Sequence, residues 1–127
     1  MNFMRFTSGL RKGASSISLN GVDVLVPEIH QDAEEAELAL GVRPEHIRFS
    51  DASPLRGAVY GSEYLGTNQI VAIETGSGLI KARVPANRNF RIGETVGLEF
   101  NHANLALFDC KSGRAVASSL YSGAQHG

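Results

Sequence analysis

Between Ser16 and Val26 the chain reads SISLNGVDVLV. Ile17 and Leu19 alternate with serines, Asn20-Gly21 supplies the two positive-φ residues of a tight turn, and Val22, Val24 and Val26 resume the alternation. The pattern predicts a β-hairpin. Pro27 ends its second strand, because it lacks the ladder N–H and holds Val26 extended. A lone hairpin is marginal in water, so its apolar side must be covered by further strands or by a helix. No sustained helical period occurs anywhere in the 127 residues, which leaves strands.

The rest of the chain supplies them. EIHQDAEEAE, residues 28–37, reads as an acidic connection, although Asp32 and Glu35 have the spacing of a helix capping box; alternation resumes at Leu38, Leu40 and Val42. Beyond Pro54, LRGAVYGSEYLG is a Gly-punctuated strand and NQIVAIET a continuous apolar one. Gly76-Ser77-Gly78 makes the turn into GLIKARVP, which points Ile80, Ala82 and Val84 one way and Lys81 and Arg83 the other. After a turn at Gly93-Glu94, TVGLEF aims Val96, Leu98 and Phe100 inward; NLALFD and SGRAV finish the sheet. Residues 117–127 are expected to be a flexible tail. Short strands at turn-marked intervals predict one all-β domain over residues 1–127, a small antiparallel barrel or sandwich with at most short helical turns.

Composition narrows function mainly by exclusion. Twelve basic and thirteen acidic residues give a net charge of −1, and the cations are scattered, so a nucleic-acid partner is not expected. The single cysteine, Cys110, cannot form an internal disulfide and has no zinc-finger partner; it reads as a small half-buried residue near a strand end. No apolar run approaches a membrane span, and the chain by itself is expected in the cytosol.

The densest chemistry is LGVRPEHIRFSD, Leu40 to Asp51. Glu45 beside His46 suggests an acid and a base, but adjacent side chains diverge rather than converge on one atom. The four histidines, His30, His46, His102 and His126, lie far apart with no ligand spacing, so no metal is predicted. No G-x-S-x-G, P-loop or G-x-G-x-x-G is present, and no catalytic residue or cofactor is assigned. Phe49, Tyr60, Tyr64, Phe90, Phe100 and Phe108 are expected to pack in the core rather than to form a base-stacking platform.

Several phrases, in order, resemble a known family. They are MNF at Met1–Phe3, LGVRPEHI at Leu40–Ile47, EYLGTNQIV at Glu63–Val71, KARVP at Lys81–Pro85, GETVGLEF at Gly93–Phe100 and LALFDCKSGRAV at Leu105–Val116. Together they are similar to the C-terminal regulatory region of the ATP-binding subunits of sugar-type ABC importers, the transport-associated OB domain. The resemblance implies two intertwined OB-like β-barrels. It also implies that Met1 is internal to a longer chain whose nucleotide-binding domain, with its ATP and Mg, is absent here: this sequence contains no Walker A, Walker B or signature motif. The chain should not hydrolyse ATP.

On the same resemblance the role is regulatory and dimerising, in a transporter for a carbohydrate or related polyol on the cytoplasmic face of the membrane. The implied partners are its own nucleotide-binding domain, a second copy of the subunit, the membrane permease subunits and a regulatory protein. Arg43, Pro44, Glu45 and His46 then read as a structural corner in which Pro44 opens a single helical turn and Arg43 pairs with a carboxylate. Glu63, Tyr64, Gly66 and Asn68 offer a contact surface on a strand turn. The alternative is a free-standing OB-like module that binds a small oxyanion, a sugar or single-stranded nucleic acid.

Overall fold

A computed structural model of the chain describes residues 1–120, and the described residues form two β lobes that share one apolar core. The first lobe holds β1 (Asn2–Leu10), β4 (Ala33–Val42) and β10 (Ala106–Asp109) in an antiparallel sheet of order β1-β4-β10, with the hairpin β2 (Ser16–Leu19) and β3 (Val22–Leu25) beside it. The second holds β5 (Ile47–Phe49), β6 (Arg56–Leu65), β7 (Asn68–Thr75), β8 (Gly78–Pro85) and β9 (Thr95–Phe100) in the order β5-β9-β6-β7-β8. Its edge strands β5 and β8 lie against each other, so the sheet curls toward closure. The chain leaves the first lobe after Val42 and returns at Ala106, which intertwines the two. The expected all-β fold is observed.

Local chemistry explains most of the elements. Asn20 and Gly21 take φ of 53° and 80°, as the hairpin turn requires, and Ser16 to Leu19 pair with Leu25 to Val22. Along β7 and β8, Gln69, Val71, Ile73, Ile80 and Ala82 face inward while Lys81 and Arg83 face solvent. Met4, Leu19, Leu40 and Val42 of the first lobe join Ile47, Val71, Ile73, Ile80 and Leu98 of the second in one cluster.

Three expectations need correction. The acidic stretch is not all loop: β4 begins at Ala33, because β1 runs alongside and pairs Leu10 with Ala33 and Thr7 with Glu37. Backbone pairing carries that half of the strand, so its exposed side chains show no apolar alternation. The start of the expected tail is held: the amide of His30 donates to the Ala117 carbonyl, the amide of Ser119 donates to the Glu28 carbonyl, and Gln31 Oε1 accepts from the amide of Ala117. The remainder of that tail, 121–127, lies outside the described residues. Finally, Tyr60 and Tyr64 are exposed rather than in the core, whereas Phe49, Phe90 and Phe100 pack against it.

The lobes are tied by polar side chains as well as by the core. Asn2 Nδ2 donates to the Lys81 carbonyl at 2.7 Å and its Oδ1 accepts from the Lys81 amide at 3.0 Å, so one side chain caps the open edge of β8 as a strand would. Asn20 Nδ2 donates to Ser77 Oγ at 2.8 Å, and the Arg5 amide donates to the Ser77 carbonyl. The turn of the β2–β3 hairpin therefore meets the turn between β7 and β8.

Candidate functional site

The corner at Arg43–His46 sits where the chain crosses between lobes. Arg43 is extended (φ −77°, ψ 145°) ahead of Pro44, and Pro44–His46 forms one 3-10 turn closed by the His46 amide on the Arg43 carbonyl at 2.9 Å. Pro44 suits that first position because its missing N–H would have no partner there. The turn packs on β8, and the His46 carbonyl accepts from the Asn101 amide at 2.9 Å. These backbone ties make the segment a joint.

Its side chains do not converge on a reacting atom. Arg43 and Glu45 are exposed, and no ion pair of Arg43 occurs among the described residues, so the expected carboxylate partner is not found. His46 is half-buried, with its Nδ1 shielded and without a hydrogen-bond partner. Beside it lies a cleft of about 410 Å³ lined by Glu45, His46, Arg48, Phe100, Asn101 and His102. Arg48 reaches Glu99 at 3.6 Å from exposed positions, a pair worth little in water. The cleft can hold a small polar ligand, but it holds no arrangement of nucleophile and base.

Elsewhere the outcome is similar. His30 Nε2 lies 3.3 Å from both Glu28 Oε1 and Ser119 Oγ. A proton relay needs the acid and the hydroxyl on different ring nitrogens, so these three residues form a clasp on the chain end rather than a triad. Among the described residues no group of His, Cys, Asp and Glu is arranged to hold a metal, and no helix is long and apolar enough to cross a membrane. Cys110 is half-buried just past β10.

The second predicted set lies at the far end of β6 and β7. Glu63 and Tyr64 are on β6, Gly66 takes φ 75° in the turn, and Asn68 pairs with Leu65 on one side and Pro85 on the other. From Ser62 to Gly66 every residue is exposed. The loop after β8 is pinned beneath them by residues that sequence reasoning does not single out. Gln69, fully buried, donates from Nε2 to the carbonyls of Pro85 and Arg88, at 3.2 and 2.6 Å, while its Oε1 has no partner. Arg88 lies 4.6 Å above the Phe90 ring and 3.2 Å from Glu94, and Tyr64 donates to Asn89 Oδ1 at 2.7 Å. Glu94 is held below the ordinary glutamate range, first by the Arg91 amide on its carboxylate and then, against some desolvation, by Arg88. A polar residue at an inward-facing strand position, Gln69, was the available signal for this pin.

The sequence profile of the TOBE domain matches residues 40–108, just over half of the chain. The chain belongs to the TOBE domain family. The match begins at Leu40, so it opens on the corner and runs through the second lobe into β10. No curated protein sequence matches the chain. Among solved structures it is similar to the cytoplasmic molybdate-binding protein ModG in a PEG-grown form with molybdate bound: TM-score 0.56, 15% identity, 84% of this chain and 94% of that one. At that identity the likeness is one of fold.

Proposed function

We propose that this TOBE chain is the regulatory domain of the ATP-binding subunit of an ABC importer for a carbohydrate or related polyol. The observation that carries the reading is where the importer-like phrases fall in the fold. MNF places Asn2 on the edge of β8, and LGVRPEHI makes the crossing between lobes. In GETVGLEF, Gly97 lies so close to Ser50 that an added Cβ would stand 2.0 Å from its carbonyl oxygen. The phrases build a two-lobed body, and among the described residues they leave no reactive set.

Such a body acts through differential contacts: it biases an open or closed dimer of ATPase domains only insofar as it touches the two states differently. Its partners on this reading are its own nucleotide-binding domain, a second copy, the permease subunits and a regulatory protein, on the cytoplasmic face of the membrane. ATP and Mg belong to the nucleotide-binding domain, and this portion is not itself an enzyme. The test measures ATP hydrolysis, dimerisation and inhibitor response of the complete subunit with and without this domain. A changed response supports the proposal, and all three unchanged contradict it.

A second reading, a module that binds a small oxyanion, is favoured by the likeness to ModG and by the cleft where His46, Arg48 and His102 meet. Thermal unfolding of the chain with molybdate, sulfate, sugars, ATP and oligonucleotides separates the two. Ligand present at about a hundred times its Kd stabilises by about 2.7 kcal/mol, a shift of several degrees in Tm.

A further inference from the structure

The hairpin β2–β3 leaves one strand edge open beside a cleft. Ser16 to Leu19 pair with Leu25 to Val22, and the Val26 amide donates to the Ser15 carbonyl in the same register. Antiparallel pairs alternate between bonded and non-bonded, so Val22, Val24 and Val26 turn their backbone groups toward β2, while Asp23 and Leu25 turn theirs away. β3 has no second neighbour in its sheet, and among the described residues neither Asp23 nor Leu25 has a backbone partner on that side. Their N–H and C=O groups are a template for another strand. Opposite this edge stands a wall. A cleft of about 320 Å³ runs between β3 and β9, lined by Val24 and Leu25 on one side and by Leu55, Leu98 and Phe100 on the other. Leu25 is 59% exposed. An open edge supplies main-chain bonds and a cleft supplies a side-chain pocket, the two parts of a strand-addition site.

Charge and pleat define the occupant. Val22 and Val24 face inward, and Asp23 and Leu25 face outward. In an added strand, the residue opposite Val24 therefore points into the cleft, and those opposite Asp23 and Leu25 lie beside them on the outer face. The Asp23 carboxylate has no ion pair or hydrogen bond among the described residues, and the cleft's one guanidinium, Arg48, reaches Glu99 at 3.6 Å. The uncompensated carboxylate selects a cation opposite it, and Leu25 selects an apolar neighbour. Run antiparallel, the stronger pairing per residue, such a segment reads apolar, apolar, then Lys or Arg. This chain has that run, with large apolar residues, only at Phe3-Met4-Arg5 and Leu79-Ile80-Lys81. There β1 and β8 already use it, and Met4 and Ile80 are fully buried. Residues 121–127 contain no Lys or Arg. The segment therefore comes from another protein.

We infer that β3 takes up an extended segment of a partner protein, two large apolar residues followed by Lys or Arg, as an added antiparallel strand whose middle side chain fills the cleft. The regulatory reading names a partner protein without a place or a chemistry for it. The inference supplies both and rests on that reading only for the partner's role.

The test uses the full chain and, as probe, the peptide acetyl-Gly-Ser-Leu-Val-Lys-Ser-Gly-amide. Titration followed by amide NMR shifts should show saturable binding with a Kd of about 1 mM or lower, and the largest shifts at Asp23, Leu25 and Leu55. Methylating the backbone nitrogen of the peptide's lysine, which would bond Asp23, should weaken binding at least about tenfold. Methylating that of its valine, which points away from β3, should change it less than about threefold. Glu in place of the peptide's lysine should bind more weakly, and Asp23→Lys should reverse that preference. No saturation at about 5 mM overturns the inference, as does binding indifferent to both the lysine methylation and Asp23→Lys, or binding whose shifts map to another edge such as that of β6. The methylated peptides decide the matter on the unaltered chain even where Asp23→Lys does not fold. Each of these failures leaves the regulatory reading standing. That reading fails when removal of the domain leaves the complete subunit's ATPase, dimerisation and inhibitor response unchanged, whatever the peptide does.

Discussion

The corner at Arg43–His46 and the arm at Tyr60–Asn68 invert what their sequences advertise. The corner is dense in charge and carries a histidine, yet its ties are backbone ones, His46 to Arg43 and Asn101 to His46, and it serves to turn the chain between lobes. The arm reads as an ordinary Gly-punctuated hairpin, yet it exposes aromatic side chains and an edge unpaired among the described residues. Clustered polar residues mark a site only when they converge on one point in space. A strand reveals a contact surface when it shows apolar groups on sides the fold leaves uncovered.

The largest effect that can break this comparison comes from adding one methyl group on β9, which pairs with the strand the corner leads into, and one in the arm. In Gly97→Ala the new Cβ meets the Ser50 carbonyl oxygen at 2.0 Å, and neither backbone can yield without losing the Ser50 amide bond to Gly97. We expect at least about 3 kcal/mol of destabilisation, or no cooperative unfolding at all. In Gly61→Ala the Cβ meets nothing within 4 Å, and denaturant titration should show a change of less than about 0.5 kcal/mol. Similar losses at both would erase the distinction.

Next in size is Gln69→Ala. It removes two hydrogen bonds from buried Nε2 and leaves the Pro85 and Arg88 carbonyls to find other partners, which should cost about 2–4 kcal/mol, read as a lower denaturant midpoint. His46→Ala should cost no more than about 1 kcal/mol, since its Nδ1 makes no bond, and should leave no catalytic activity to lose. Loss of a turnover in the isolated chain on that change would restore the corner as an active site.

The smallest effect concerns acid. The folded pKa of Glu94 is depressed, so its contribution to stability is present above the ordinary glutamate pKa and is lost as pH falls through the depressed folded value. Glu94→Gln should therefore lower stability slightly at neutral pH, leave it nearly unchanged in acid, and so flatten the acid limb of the stability curve. An unaltered acid limb would show that Arg88 and the Arg91 amide do not hold the carboxylate in solution.

How much of this was legible depended on whether a feature is local. The Asn20-Gly21 turn and the inward parity of β8 and β9 are stated by adjacent residues and appear as read. Pro44 fixes the corner in the same way. β1 escapes a reading by pattern although Met4, Phe6 and Leu10 lie inward, because Thr7, Ser8 and Gly9 dilute the alternation. The first half of β4 has no hydropathy signal, since it exists through backbone pairing with that strand. Asn2 finds Lys81 across 79 residues, and nothing in either neighbourhood announces the contact. The open edge of β6 follows from where β9 stops, a property of topology rather than of any residue.

Amide hydrogen exchange in dilute, monomeric protein tests the central contrast most directly, because the joint is held by backbone bonds and the arm is open along one edge. The amides of Ser50, Leu98 and Asn101, which donate to Gly97, Leu55 and His46, should exchange only through global unfolding. Between Ser62 and Leu65, those pointing away from β7 should exchange orders of magnitude faster. Amides around the corner and β9 that exchange as fast as the arm, or an arm as protected as they are in the monomer, would contradict the account.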